Sequence, residues 1–222
     1  MAAASGSAEA GPLHGGTYIA FEGIEGAGKS TVARAVADAL TATGASVVEV
    51  REPGSTEAGE SIRQVLLHGA TLEPWTEALL FAAQRAQLAA EVVRPALAAG
   101  SVVISDRSVY SSLAYQGGGR RLGVERVRVV NQQGLGGTWP DWVVLLRVDP
   151  GIGLSRQEIA DRIGAEPTEF LGQVSSTYDR LAAAEPERFI VIDASLPLSS
   201  VVKTALDEIS KVAGSGIVES VR

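Results

Sequence analysis

The sequence predicts a single α/β domain in three layers, a parallel sheet covered by helices on both faces. Three observations point there. Five short runs of β-branched and other apolar residues are apolar on both faces. Amphipathic, alanine-rich stretches separate them. The first run also ends in a glycine-rich loop that leads directly into such a stretch. Strands buried on both faces and joined by helices are the mark of parallel sheets.

Taken in order, the strand candidates are 17–22 (TYIAFE), 46–50 (SVVEV), 101–105 (SVVIS), 141–148 (DWVVLLRV) and 188–192 (RFIVI). Between them, helices are predicted over 29–43, 57–67, 74–99, 123–134, 167–184 and 197–212, where apolar residues recur at helical spacing. Residues 151–166 are polar, charged and not cleanly periodic, and read as a mobile segment. The ends, 1–16 and 214–222, read as flexible tails, which leaves one domain over 17–213.

Composition narrows the function. At 222 residues and 45% apolar, the chain can bury a substantial core, so bulk disorder is excluded. A net charge of −7 argues against a sequence-blind nucleic-acid coat. The absence of cysteine removes disulfides, zinc–thiolate sites and cysteine nucleophiles, and His14 and His68 do not form a metal-ligand pair. No apolar run reaches the length of a membrane span, and the N-terminus lacks the basic and apolar regions of a secretory signal. A cytoplasmic protein without nucleic-acid or membrane partners is expected.

The strongest signal is Gly23-Ile24-Glu25-Gly26-Ala27-Gly28-Lys29-Ser30, a complete G-x-x-x-x-G-K-[ST] between a strand and a helix. Glycines let backbone N–H groups turn inward around phosphate oxygens, and the helix N-terminus adds partial positive charge. Lys29 is placed to reach the β- and γ-phosphates and the Ser30 hydroxyl to ligate Mg²⁺. The chain has only three lysines, at 29, 203 and 211, so the coincidence is informative.

The class of phosphate-loop protein follows from what accompanies the loop. The only asparagine, Asn131, is followed by glutamine, so the N-K-x-D base-reading motif of regulatory GTPases is absent. The third strand ends in Asp106-Arg107 rather than Asp-Glu. A magnesium carboxylate followed by arginine suits transfer to another phosphate better than attack by water. Arg51 closes the second strand, at the sheet edge that borders the ligand crevice, where it can fork a phosphate or form a surface ion pair. Phe81 and Arg85 share a helix face, Phe81 to stack on a base or to fill the core. Gln116 stands before three glycines, read as a loop.

Together FEGIEGAGKST, REPGST, LLFAAQRAQ, DRSVYSSLAYQGGGR, PDWVVLLRVDP and VIDAS resemble bacterial thymidylate kinases, in that family's order, over about 17–212. The resemblance implies a P-loop kinase fold with a five-stranded parallel sheet and a mobile LID over about 151–166. It implies a homodimer that converts dTMP and ATP, with Mg²⁺, into dTDP and ADP. By the same resemblance, residues 23–30 (Gly23, Ile24, Glu25, Gly26, Ala27, Gly28, Lys29, Ser30) with Thr31 hold the ATP phosphates, and Asp193-Ala194-Ser195 lie along the adenine. Ser30 and Asp106 position the metal. Glu25 reads the deoxyribose 3′-hydroxyl, and Arg51 and Arg107 grip the acceptor phosphate. Phe81 stacks on thymine, Arg85 donates to its O4, Ser112 and Gln116 complete the base pocket, and Tyr115 crowds the ribose 2′ position.

The phosphate loop lacks arginine, and the resemblance to the bacterial type then implies a transition-state cation from the LID, from Arg156 or, preferred, Arg162 of Asp161-Arg162-Ile163. Some positions depart from the family pattern: Gly164 replaces Glu, Gln173 and Ser175 replace arginines, and Arg147 stands where Asp is common. They bear on the ATP side alone. They keep two alternatives open, another nucleoside or nucleoside-monophosphate kinase, and a non-catalytic relative with a degenerate LID.

Overall fold

A computed structural model of the chain describes residues 15–156, 162–164 and 166–212. The tails expected at 1–16 and 214–222 lie outside these residues except for 15 and 16, as do 157–161 and 165 of the expected LID. Five parallel strands form one sheet: β1 (Thr17–Glu22), β2 (Val47–Arg51), β3 (Val102–Asp106), β4 (Trp142–Arg147) and β5 (Phe189–Asp193), in the order β2-β3-β1-β4-β5.

Alternation along the strands feeds two cores, because successive side chains leave opposite faces. Ile19, Phe21 and Ile104 join one core with Val32 and Val36, while Tyr18, Val50 and Val103 join the other with Leu88, Val93 and Leu97. Register then aligns the strand ends. Arg51 is level with Asp106, Asp106 with Phe21, and Arg147 with Asp193. After β1 the chain builds one side of the sheet and then crosses to the other, so the crevice at the carboxyl end of β1 is the switch point where ligands bind in such sheets.

Helix α1 (Lys29–Ala42) follows the phosphate loop, and α2 (Glu57–His68) follows β2, N-capped by Thr56. The helix predicted over 74–99 runs as α3 (Pro74–Leu88), a π-helical turn (Ala89–Val93) and α4 (Arg94–Ala98). The wider turn precedes Pro95, which has no N–H to give to a regular ladder.

After β3 comes α5 (Val109–Ser112), which continues as a π-helical segment, Leu113–Gly119. This corrects the loop expected there. Two of the three glycines let the segment lie against α8 (Thr168–Ala184): a Cβ on Gly118 would stand 2.1 Å from Thr177 Oγ1, and one on Gly119 would stand 2.6 Å from the Phe170 ring, whereas one on Gly117 would stand 3.0 Å from Val124 Cα. Helices α6 (Val124–Leu135), α7 (Pro150–Ser155) and α9 (Leu198–Val212) complete the described residues. Helix α7, capped by Asp149, occupies the beginning of the expected LID. Among the described residues no helix is long and apolar enough to cross a membrane.

Candidate active site

The loop between β1 and α1 turns where its glycines permit it, with Gly26 at φ 71° and Gly28 at φ 88°. No side chain caps the N-terminus of α1, and its first turn holds no acidic residue, so its amides and positive end are available to an anion. Lys29 is 7% exposed and its Nζ donates to Ile24 O at 2.7 Å. Burial, with the nearby Arg107 charge second, lowers its pKa from 10.5 to about 8. Thr31 is exposed on the first turn of α1. The far side of the loop rests on α7: a Cβ on Gly26 would stand 1.9 Å from Gly153 O, and one on Gly153 would stand 2.5 Å from Glu25 O.

At the end of β3, Ser30 Oγ donates to Asp106 Oδ2 at 2.5 Å. The other oxygen, Oδ1, is buried without a hydrogen-bond partner. One hydroxyl and one carboxylate with an uncommitted oxygen fit Mg²⁺, which keeps several waters and takes the rest of its shell from substrate phosphates. Among the described residues there is no three-carboxylate or histidine cluster for a dedicated metal site, in keeping with that mode.

The backbone at Arg107 adopts φ 73° and turns its side chain away from Asp106. Arg107 Nη2 donates to Glu25 Oε1 at 2.9 Å, Nη1 to Ser111 Oγ at 3.3 Å, and the guanidinium lies 5.1 Å from the Tyr115 ring centroid. Tyr115 OH donates to Glu25 Oε2 at 2.7 Å, and burial followed by the Glu25 charge pushes its pKa well up. Beneath them the fully buried Glu22 accepts from the backbone and hydroxyls of Ser108 and Ser111 and from Tyr178 OH. It pins α5 to the end of β1.

Glu25, Arg107, Ser111 and Tyr115 line a cavity together with Phe81, Ser112 and Gln116. Ser112 Oγ is buried with no partner, a polar atom that a ligand would satisfy. The structure therefore brings Glu25, Phe81, Arg107, Ser112, Tyr115 and Gln116 around one space. Arg63, Glu52 and Pro53 line it too.

Arg85 does not line this cavity. Only 2% exposed, it donates from Nε to Glu52 Oε2 (2.6 Å), from Nη1 to Asn131 Oδ1 (2.5 Å) and from Nη2 to Ser108 O (3.2 Å). Burial raises the Glu52 pKa even with Arg85 against it, so the carboxylate needs that cation. Arg51, 53% exposed and paired with Glu60 at 2.9 Å, borders a separate hollow with Ser30, Ser55 and Asp106, on the phosphate side.

A further cavity, lined by Ala27, Gly28, Val32, Arg156, Ala194 and Ser195, joins the phosphate loop to the loop after β5. Asp193 Oδ1 shapes that loop by accepting from Ser195 N and Oγ, and Arg156 Nη1 donates to Ala194 O at 2.9 Å. Arg162, the preferred LID cation, is elsewhere. Its Nη1 donates to Glu77 Oε2 at 2.9 Å and its Nε to Leu66 O at 2.8 Å, while Nη2 is buried without a partner. The buried Glu77 carboxylate draws it to the acceptor side, so of the two candidate arginines it is Arg156 that stands at the phosphate-loop cavity. The missing LID-side arginines at Gln173 and Ser175 leave the packing of α8 intact: Phe170 and Tyr178 both meet the Tyr115 ring edgewise. Arg147 pairs with Asp179 at 2.7 Å.

Sequence reasoning missed Glu22, Glu52 and Glu77, buried carboxylates whose partners lie far away along the chain, and Arg63, whose Nη1 donates to Pro53 O. Glu22 and Glu52 stand inside the segments FEGIEGAGKST and REPGST, but nothing in those segments marks them as buried, and Arg63 and Glu77 lie outside every matched segment.

A phosphate loop at the switch point of a parallel sheet, a Ser–Asp pair suited to magnesium, and a second cavity for an acceptor define a phosphate-loop nucleotide kinase. The family model described as "Thymidylate kinase" matches residues 21–205. The chain is 44% identical over 204 residues to a thymidylate kinase of Bifidobacterium longum strain DJO10A, covering 89% of this chain and 99% of that one. It is 45% identical over 177 residues to one of Synechococcus sp. strain JA-3-3Ab (80% and 87%), and 42% identical over 195 residues to one of Bacillus licheniformis (85% and 92%). The chain belongs to the thymidylate kinase family.

Proposed function

We propose that this protein phosphorylates dTMP to dTDP with the γ-phosphate of ATP. The observation that carries the reading is the shared cavity, where the phosphate-loop residue Glu25 and the strand-end Arg107 meet Phe81, Ser112 and Gln116. A nucleoside seated against Phe81 thereby presents its 5′-phosphate to the phosphate loop.

An ionised acceptor phosphate is already a nucleophile, so the work left to the protein is in-line placement and charge neutralisation. Residues 23–30 and Thr31 wrap the donor phosphates, with Lys29 Nζ beside the group transferred. That triphosphate restores the partner charge a buried ammonium lacks. Ser30 and Asp106 would hold Mg²⁺, which would supply Lewis-acid polarisation of the phosphates. Arg107 and Arg51 take the acceptor phosphate. Glu25, which accepts from Arg107 and Tyr115, also accepts from a sugar hydroxyl, and Tyr115 closes the space beside the ribose. Ser112 and Gln116 meet the base edge, Phe81 its face, and Arg85 braces the wall through Glu52. Ala194 and Ser195, held by Asp193, border the donor base. Arg156, from the end of α7, supplies cationic charge on the donor side. A homodimer in the cytoplasm fits the family.

A coupled assay of ADP release over dTMP, dUMP, dCMP, AMP and GMP tests the reading. Preference for dTMP is expected. Equal or faster turnover of a purine acceptor refutes it and favours another nucleoside-monophosphate kinase, and binding of nucleotides without ADP release favours a non-catalytic relative.

A further inference from the structure

Glu77 lies one helical turn before Phe81 on α3 and is 1% exposed. Its Oε1 accepts from Gln116 Nε2 at 2.9 Å and Arg120 Nε at 3.2 Å, and its Oε2 from Arg120 Nη2 at 3.2 Å and Arg162 Nη1 at 2.9 Å. Burial works to protonate this carboxyl, but the bonds from Arg120, Gln116 and Arg162 outweigh it and hold the pKa below the ordinary value.

An ionised carboxylate only accepts hydrogen bonds, whereas a carboxamide has a donor end and an acceptor end of nearly equal size. A glutamine facing a neutral partner can therefore present either end to a ligand. Gln116 cannot. It is 2% exposed and lines the nucleoside cavity, and the branch of its amide that meets Glu77 must be the nitrogen. The carbonyl oxygen is left for the cavity. In a thymine-like base N3 carries a hydrogen, and in a cytosine-like base it carries a lone pair.

We infer that Glu77 is a positioning residue that fixes the polarity of the Gln116 amide, so that the cavity accepts a base with an N3–H and opposes one with an N3 lone pair. This rests on the reading of the cavity as the site of a pyrimidine monophosphate. A site built for one hydrogen-bond polarity rejects the other strongly, because a mismatch leaves buried groups unpaired. Replacing Glu77 by its neutral isostere removes the constraint, and the Gln116 amide can then serve either base.

The test measures kcat and KM for dTMP and 5-methyl-dCMP, which share the methyl group and differ at N3 and C4. In Glu77→Gln the kcat/KM for dTMP is expected to stay within about fivefold of wild type, while that for 5-methyl-dCMP rises, compressing the ratio at least ~10-fold. Arg120→Gln removes another partner of Glu77 but leaves its bond to Gln116, and is expected to keep the wild-type ratio. A purely structural role for Glu77 lowers both substrates together, and that outcome overturns the inference. Wild-type protein that fails to prefer dTMP refutes the functional reading instead. Should Glu77→Gln not fold, the wild-type Gln116 side-chain amide, assigned by its loss in Gln116→Leu, is read by NMR with and without dTMP. Slow solvent exchange in both states is expected, and fast exchange or rotation in the dTMP complex overturns the inference.

Discussion

Gly153 sets helix propensity against the phosphate loop, and the two predict opposite results for Gly153→Ala. Within α7, alanine is the better helix former by about 1 kcal/mol. The added Cβ, however, would stand 2.5 Å from Glu25 O, while its next neighbours, Ile24 Cδ1 and Val148 Cγ1, are at ordinary contact distances of 3.5 and 3.6 Å. Relief requires a shift of roughly 0.7 Å between α7 and the loop, and overpacking of this kind costs about 1–3 kcal/mol. Net stability thus moves little, by roughly 2 kcal/mol at most, or within about 8 °C in Tm for a chain of this size. Catalysis is far less tolerant, since displacement of a positioning group by ~1 Å costs about a hundredfold. Thermal unfolding and steady-state kinetics on one preparation decide the matter. The expected result is a near-native Tm with kcat/KM for ATP lowered on the order of a hundredfold. A raised Tm with wild-type kinetics refutes the reasoning, because α7 would then have yielded and the loop would not depend on it.

Three further outcomes follow from the site. In the unfolded chain Lys29 titrates near 10.5 and in the folded chain near 8, so the unfolded state binds more protons between those values and stability rises with pH across the window. Lys29→Met should remove that rise in urea unfolding at pH 7.5 and 9.5, relieve up to roughly 3 kcal/mol of buried-charge cost at neutral pH, and lower kcat by about a thousandfold; an unchanged kcat removes Lys29 from the mechanism. Ser112→Ala deletes a buried hydroxyl without a partner, so the free protein should gain about 1 kcal/mol while KM for dTMP rises roughly fivefold; a loss of stability contradicts the assignment. Arg156→Ala should raise KM for ATP and Arg162→Ala KM for dTMP, each about tenfold, and the reverse pattern would return Arg162 to the donor side.

The sheet was legible because its strands are apolar on both faces, and all five appear within a residue or so of the runs that announced them. The phosphate loop was legible because its positive-φ positions fall on glycines, with a lysine and a serine following at fixed spacing. Segment 113–119 misled because consecutive glycines read as a loop, whereas close approach requires them, of Gly117 to Val124 and of Gly118 and Gly119 to α8. Helix α7 is too short to show a period. The cavity residues on α3 and α5 were reached through motifs, but their bracing was not. Glu22, Glu52 and Glu77 act through partners 30 or more residues away, and a lone glutamate in a strand end or helix carries no sign of what will bury it. The same blindness misplaced Arg162, whose partner Glu77 lies 85 positions back.

The positive φ at Arg107 has a consequence for how distance is kept. In the proposed reading Asp106 serves the donor's metal and Arg107 the acceptor, yet they are neighbours in the chain, joined by a single peptide unit whose Cα atoms are fixed about 3.8 Å apart. The spacing of the two backbone anchors is thus set by covalent bonds rather than by the closure of a moving part. Segments that open and shut over the site can exclude water or add charge. They leave that spacing unchanged.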